Sequence, residues 1–115
     1  MSTFSHPALI IVDSLLRDLP AGADAAERFE DLLQRPGARI ERIVSSGQST
    51  PPGEWMVQAW DEWVLLVAGG AGLTLEGETP VTLLPGDWLL IPARRRHRVD
   101  WTQTPTVWLA VHLTG

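Results

Sequence analysis

At 115 residues, with hydrophobic side chains at 44% and charged ones at 20%, the chain is sized for one domain with one core, far from disordered or fibrous compositions. A net charge of −5 argues against nucleic acid or anionic lipid as a partner, and the absence of cysteine excludes disulfides, thiolate catalysis and zinc-thiolate centres. Residues 1–7 carry no basic, cleavable leader and no apolar run reaches membrane-spanning length, so the sequence predicts a cytoplasmic protein with no membrane partner.

In chain order, residues 8–12 are apolar and partly β-branched, which suits a short strand before the break at Pro20-Ala21-Gly22. Residues 25–34 place Ala25, Ala26, Phe29, Leu32 and Leu33 at helical spacing, with Asp24 as N-cap and Pro36-Gly37 as stop; one short amphipathic helix is expected there. After Gly37 the texture changes to short β-branched or aromatic runs separated by Gly, Pro and Ser/Thr turns. Strands are expected over residues 39–45, 54–58, 62–68, 72–76, 81–84, 87–91, 97–101 and 107–113. No long helix interrupts them, which excludes a parallel α/β sheet and predicts a sandwich or barrel. Several strands are apolar on both faces, as in Trp88-Leu89-Leu90-Ile91, so both faces need cover, and a homodimer is one way to supply it.

Two stretches carry a family pattern. Gly86-Asp87-Trp88-Leu89-Leu90-Ile91-Pro92 followed by Ala93-Arg94-Arg95-Arg96-His97 resembles the second conserved motif of the cupin superfamily, with Arg94 where that motif has Gly and Trp101 where it has Asn. Glu62-Trp63-Val64-Leu65-Leu66-Val67-Ala68-Gly69 resembles the second half of the first motif, but Met56 and Gln58 stand where the two histidines belong. The resemblance covers roughly residues 39–113 and implies an all-β fold, the cupin double-stranded β-helix or jelly-roll barrel. Residues 1–38 are then an N-terminal strand and helix extension packing on a barrel of residues 39–115.

The resemblance also implies a pocket inside the barrel. Strand alternation puts Glu62 on one face with Val64 and Leu66, and His97 with Val99 and Trp101. Met56 and Gln58 share the barrel-lining face in the cupin arrangement. The expected pocket residues are therefore Met56, Gln58, Glu62, Arg94, His97 and Trp101. A cupin centre holds Fe, Mn, Ni, Cu or Zn with about three imidazoles and one carboxylate; here Gln58, Glu62 and His97 are the candidate ligands, with His112 as a fourth. The bland reading is a hydrogen-bonded polar cluster of Glu62, His97 and Gln58. A sharper one has the Arg94 guanidinium reach Glu62 and replace the metal's positive charge.

The run Arg94, Arg95, Arg96 and Arg98 reads either as a solvated strand entry paired with nearby carboxylates or as a capture site for a small organic acid or phosphate. Three functions fit: small-molecule binding in a pocket with a degenerate metal site, a metal-dependent oxygenase, isomerase or lyase using Gln58, Glu62 and His97, and a non-catalytic interaction subunit. No catalytic triad, phosphate loop or nucleotide fingerprint is present.

Overall fold

The computed structural model describes residues 9–22 and 25–115; Ala8, His6 and the expected N-cap Asp24 lie outside them. Eight strands follow in order: β1 (Arg28–Arg35), β2 (Ala38–Ser45), β3 (Asp61–Ala68), β4 (Ala71–Leu75), β5 (Val81–Leu83), β6 (Trp88–Ile91), β7 (His97–Thr102) and β8 (Thr106–Leu113). They form a five-stranded sheet in the order β1-β2-β8-β3-β6 and a three-stranded sheet in the order β5-β4-β7. All pairings are antiparallel. Among the described residues no helix is long and apolar enough to cross a membrane.

The two sheets close on a core of Val64, Leu66, Ala71, Leu73, Leu83, Ile91, Trp108 and Ala110. In β3 the even residues Glu62, Val64 and Leu66 are buried while Trp63 and Leu65 are only half-covered, the period-two alternation that the sequence predicts. Seven of the expected strands are present with ends within one or two residues.

Three expectations need correction. Residues 25–34 do not form a helix; Arg28–Arg35 is strand β1, paired with β2. A helix of ten residues is marginal by itself, whereas pairing with β2 offers this segment a complete hydrogen-bond ladder. The misleading four-residue spacing of Phe29 and Leu33 arises from a β-bulge between Asp31 and Leu33. The bulge resets the alternation, so Phe29 lies opposite Ile43 on the inner face and Leu33 opposite Ile40 on the outer one. Pro36-Gly37 is a hairpin turn: Arg35 pairs with Ala38 across it, Pro36 takes the position that tolerates a missing N–H, and Gly37 adopts φ 83°. The C-terminal part of the segment set apart as residues 1–38 is thus the edge strand of the main sheet.

The second correction concerns residues 54–58, where a single bridge replaces the expected strand: Met56 N–H donates to the His97 carbonyl at 2.7 Å and His97 N–H to the Met56 carbonyl at 2.9 Å. Pro51, Pro52 and Gly53 just upstream limit the ladder to that one rung. Third, Leu9–Val12 forms no strand and is exposed.

Candidate functional site: an acid-lined barrel cavity

The inner faces of the two sheets line a half-open cavity of about 450 Å3. The five-stranded sheet contributes Phe29, Ile43, Val64, Ile91 and Trp108 to its apolar wall, and the small sheet adds Leu73 and Val99. Register explains the convergence of the polar groups. Glu62 lies opposite His112 in the β3–β8 ladder, and cross-strand partners present their side chains on the same face. His97 enters from the first position of β7, on the facing sheet.

Both histidines are buried, at 3% exposure for His97 and 6% for His112, but they are used differently. The Trp60 indole N–H can only donate, and it donates to His112 Nδ1 at 2.9 Å. His112 therefore carries its proton on Nε2, which donates to Glu41 Oε1 at 3.0 Å. Arg39 completes the chain, its guanidinium 3.2 Å from Glu41 Oε2. Trp60 also meets the His112 ring edge-on, centroids 6.0 Å apart, and is not among the residues lining the cavity. Neither nitrogen of His112 is left for a metal.

His97 is open where His112 is closed. Its Nδ1 lies 2.9 Å from the Arg95 carbonyl, an acceptor, so the tautomer that fits has its proton on Nδ1 and its lone pair on Nε2. Among the described residues nothing donates to that atom. Glu62 accepts one hydrogen bond, from Gln58 Nε2 to Oε1 at 2.8 Å. A further chain runs along the wall: Trp108 Nε1 donates to Ser45 Oγ at 3.2 Å, and Ser45 Oγ donates to Glu27 Oε2 at 2.6 Å.

Of the six expected pocket residues, Met56, Gln58, Glu62 and His97 line the cavity, and so does His112. Arg94 and Trp101 do not. Arg94 is exposed and adopts φ 62°, the left-handed conformation for which the family motif keeps a glycine. Its backbone N–H donates to the Gln58 carbonyl at 2.7 Å. Glu62 is tied to Gln58, and no ion pair between Arg94 and Glu62 occurs.

Trp101 leaves the pocket because of a bulge in β7. Gly72 pairs with Trp101 and Leu73 with Val99, so Asp100 is the extra residue and the alternation from His97 breaks after Val99. The ring lies over Gly72, in the space a Cβ there would take, and is 40% exposed. The arginine run is also spent outside the cavity: Arg95 pairs with Glu78 at 2.6 Å, Arg96 with Glu76 at 3.2 Å and Arg98 with Asp100 at 3.0 Å. The capture site expected for an organic acid thus has no guanidinium in it.

Sequence reasoning missed Glu27, Glu41, Phe29 and Ser45 as cavity residues. Glu27 and Phe29 were hidden by the helix reading; Glu41, Ile43 and Ser45 share one face of β2, and that alternation was the available signal.

The donor set does not fit a cupin metal centre. Among the described residues no group of three or more His, Asp or Glu side chains is placed to hold an ion. Met56 and Gln58 occupy the two motif histidine positions, His112 has both nitrogens engaged, and Glu62 with His97 supplies two strong donors where such centres use about four.

The strand order, the closed two-sheet barrel and the placement of Glu62 and His97 in one hollow define a cupin. Solved structures agree. A Ralstonia eutropha protein provisionally named a mannose-6-phosphate isomerase is 50% identical, over 92% of this chain and 100% of its own, with a TM-score of 0.85. A cupin superfamily protein from Desulfitobacterium hafniense is 21% identical over 78% of this chain and 79% of its own, TM-score 0.68. The cupin domain of Schizosaccharomyces pombe Cnp3 is 14% identical over 77% of this chain and 61% of its own, TM-score 0.66. No family model and no curated protein matches the sequence. The chain has the cupin fold and is half identical to the Ralstonia eutropha protein over nearly its whole length.

Proposed function

We propose that this protein binds a small molecule in the barrel cavity, with His97 and Glu62 as its polar contacts. The observation that carries this reading is His97 Nε2: an acceptor on a residue only 3% exposed that lines a half-open, largely apolar hollow, with no donor to it among the described residues. A ligand is the natural partner for a polar atom left open in a cavity of this size. Titration followed by tryptophan fluorescence, with Trp108 in the wall as reporter, tests it. Saturable binding is expected, and His97→Leu should weaken it at least tenfold while far-ultraviolet dichroism stays unchanged; binding indifferent to His97→Leu would overturn the assignment.

A second reading, a metal-dependent isomerase or related enzyme, draws on the name given to the 50% identical relative. Its cost is the short donor set of Gln58, Glu62 and His97. Stoichiometric Fe, Mn, Ni or Zn in protein purified without chelators would favour it, and none after supplementation would remove it.

The same proposal includes a homodimer through the outer face of the large sheet. Trp63 and Trp88 pack there with centroids 5.7 Å apart, and Trp88, at 61% exposure, adjoins exposed Leu90. Contiguous apolar surface of this kind is uncommon on monomers. Trp88→Glu should halve the mass seen by sedimentation equilibrium; an unchanged mass would exclude this face.

A further inference from the structure

We infer that the occupant of the cavity is a small organic cation, an amine with an apolar body, and that anions are excluded. The inference rests on the small-molecule reading above and adds the chemical class of the ligand.

The first argument is charge. The ionisable side chains lining the cavity are Glu27, Glu41, Glu54, Glu62, His97 and His112; none of the nine arginines is among them. Arg39 neutralises Glu41 from behind, at 3.2 Å. Glu27, Glu54 and Glu62 have no ion-pair partner among the described residues. Arg98, which does not line the cavity, lies 6.0 Å over the Trp55 ring, pairs with Asp100 at 3.0 Å and donates through Nη1 and Nη2 to the Glu54 and Thr50 carbonyls. An anion entering this hollow meets the Glu27 and Glu62 carboxylates, with exposed Glu54 at the same lining and no cation paired to any of them among the described residues, whereas a cation supplies the charge they lack.

The second argument is independent of charge and counts hydrogen bonds. The donors that Gln58, Ser45, Trp108 and the two imidazoles bring to the wall are engaged with Glu62, Glu27, Ser45, the Arg95 carbonyl and Glu41. Gln48 likewise gives its amide N–H to the Ala25 carbonyl at 2.8 Å. Ser49, Thr50 and Trp55 also bring donors to the lining, but on Glu27, Glu62 and His97 themselves what remains is acceptors: His97 Nε2, the second oxygen of Glu62 and the first of Glu27. A ligand that satisfies them must donate several hydrogen bonds from one compact head, which an ammonium does with three N–H groups and a carboxylate or phosphate does not.

Shape supplies the rest. Phe29, Ile43, Leu73, Val99 and Trp108 form an apolar wall around these acceptors. Trp108, whose indole N–H is already bonded to Ser45, offers a ring face suited to a hydrocarbon body or to the cation itself. The chain Trp108–Ser45–Glu27 fixes one carboxylate, and Gln58 fixes the other, so the acceptors are held in place before the ligand arrives.

Three probes of nearly equal size separate the possibilities: 2-phenylethylamine, 2-phenylethanol and 3-phenylpropanoate, titrated into the full-length protein at pH 7 by calorimetry. The amine is expected to bind at least tenfold more tightly than the acid, with the alcohol between. Glu62→Gln should weaken the amine about tenfold and leave the alcohol within twofold; Glu27→Gln, farther from the motif residues, provides the same comparison should Glu62→Gln fail to fold. Acid or alcohol binding as tightly as the amine overturns the cation assignment and leaves the small-molecule reading standing. Heat from none of the three overturns both.

Discussion

The two ends of the cavity wall present the same side chain in opposite states. At the His112 end an imidazole, an indole, a carboxylate and a guanidinium form a closed circuit in which every strong group has a protein partner. At His97 the imidazole is equally buried yet stops one bond short, with Nε2 lacking a partner among the described residues. Burial and residue type are nearly identical at the two positions. What separates a structural histidine from a ligand-facing one is the tally of donors and acceptors around it, and that tally is set by neighbours distant in sequence: Trp60 is 52 residues from His112 and Glu41 is 71.

The comparison breaks most visibly on substitution of the two histidines. His112→Leu strands the Trp60 indole and the Glu41 carboxylate together, so urea denaturation should show a loss of about 1–3 kcal/mol, the usual penalty for buried groups deprived of a partner. His97→Leu removes one bond to a carbonyl and keeps the backbone bridge to Met56, so its loss should be nearer ~1 kcal/mol while ligand binding disappears. Equal losses of stability, or a binding defect in the His112 variant alone, would erase the distinction drawn here.

A smaller effect sharpens it from the motif side. Arg94 stands in a left-handed conformation and touches neither end of the circuit with its side chain. Arg94→Gly should therefore leave ligand binding unchanged and raise stability by up to ~1 kcal/mol through relief of backbone strain, read as an increase in the urea midpoint at constant slope. A drop in affinity would return the guanidinium to the site.

The smallest effect concerns charges outside the cavity. Two 2.8 Å hydrogen bonds from Arg17 hold the Glu30 carboxyl below its ordinary value near 4.5, with Arg42 adding a contact at 3.2 Å. A carboxyl depressed in the folded state contributes stability that is complete above the unfolded value and is lost as the pH falls through the folded one. Glu30→Gln should thus flatten the stability profile only below about pH 4.5, leaving the neutral-pH cavity binding untouched, since this pair is exposed and on the opposite face of the sheet.

Much of this was legible in the chain itself, and for a physical reason. Alternation has a period of two wherever one face is buried, so the faces of β3 and the positions of Glu62 and His97 followed from local pattern, while Gly86, Pro92 and the Glu62-to-Gly69 run marked the barrel and the family resemblance placed Gln58. Pattern failed where a bulge inserted an extra residue: in β1, which made a strand look helical, and in β7, which turned Trp101 out of the pocket. It failed again at Arg94, where composition suggested a charge for Glu62 and the backbone instead required only an unusual φ.

By sequence alone this protein was bound to be a small, cysteine-free, antiparallel β domain with a cupin's motif order and a depleted set of metal donors, because those properties reside in residue identity and nearest-neighbour spacing. Tertiary structure alone decided that Glu27 and Glu41 join the cavity, that no arginine does, and that one buried histidine is finished while the other is open. Hydrogen-bond satisfaction and charge balance belong to contacts between strands far apart along the chain, so only the folded arrangement contains them.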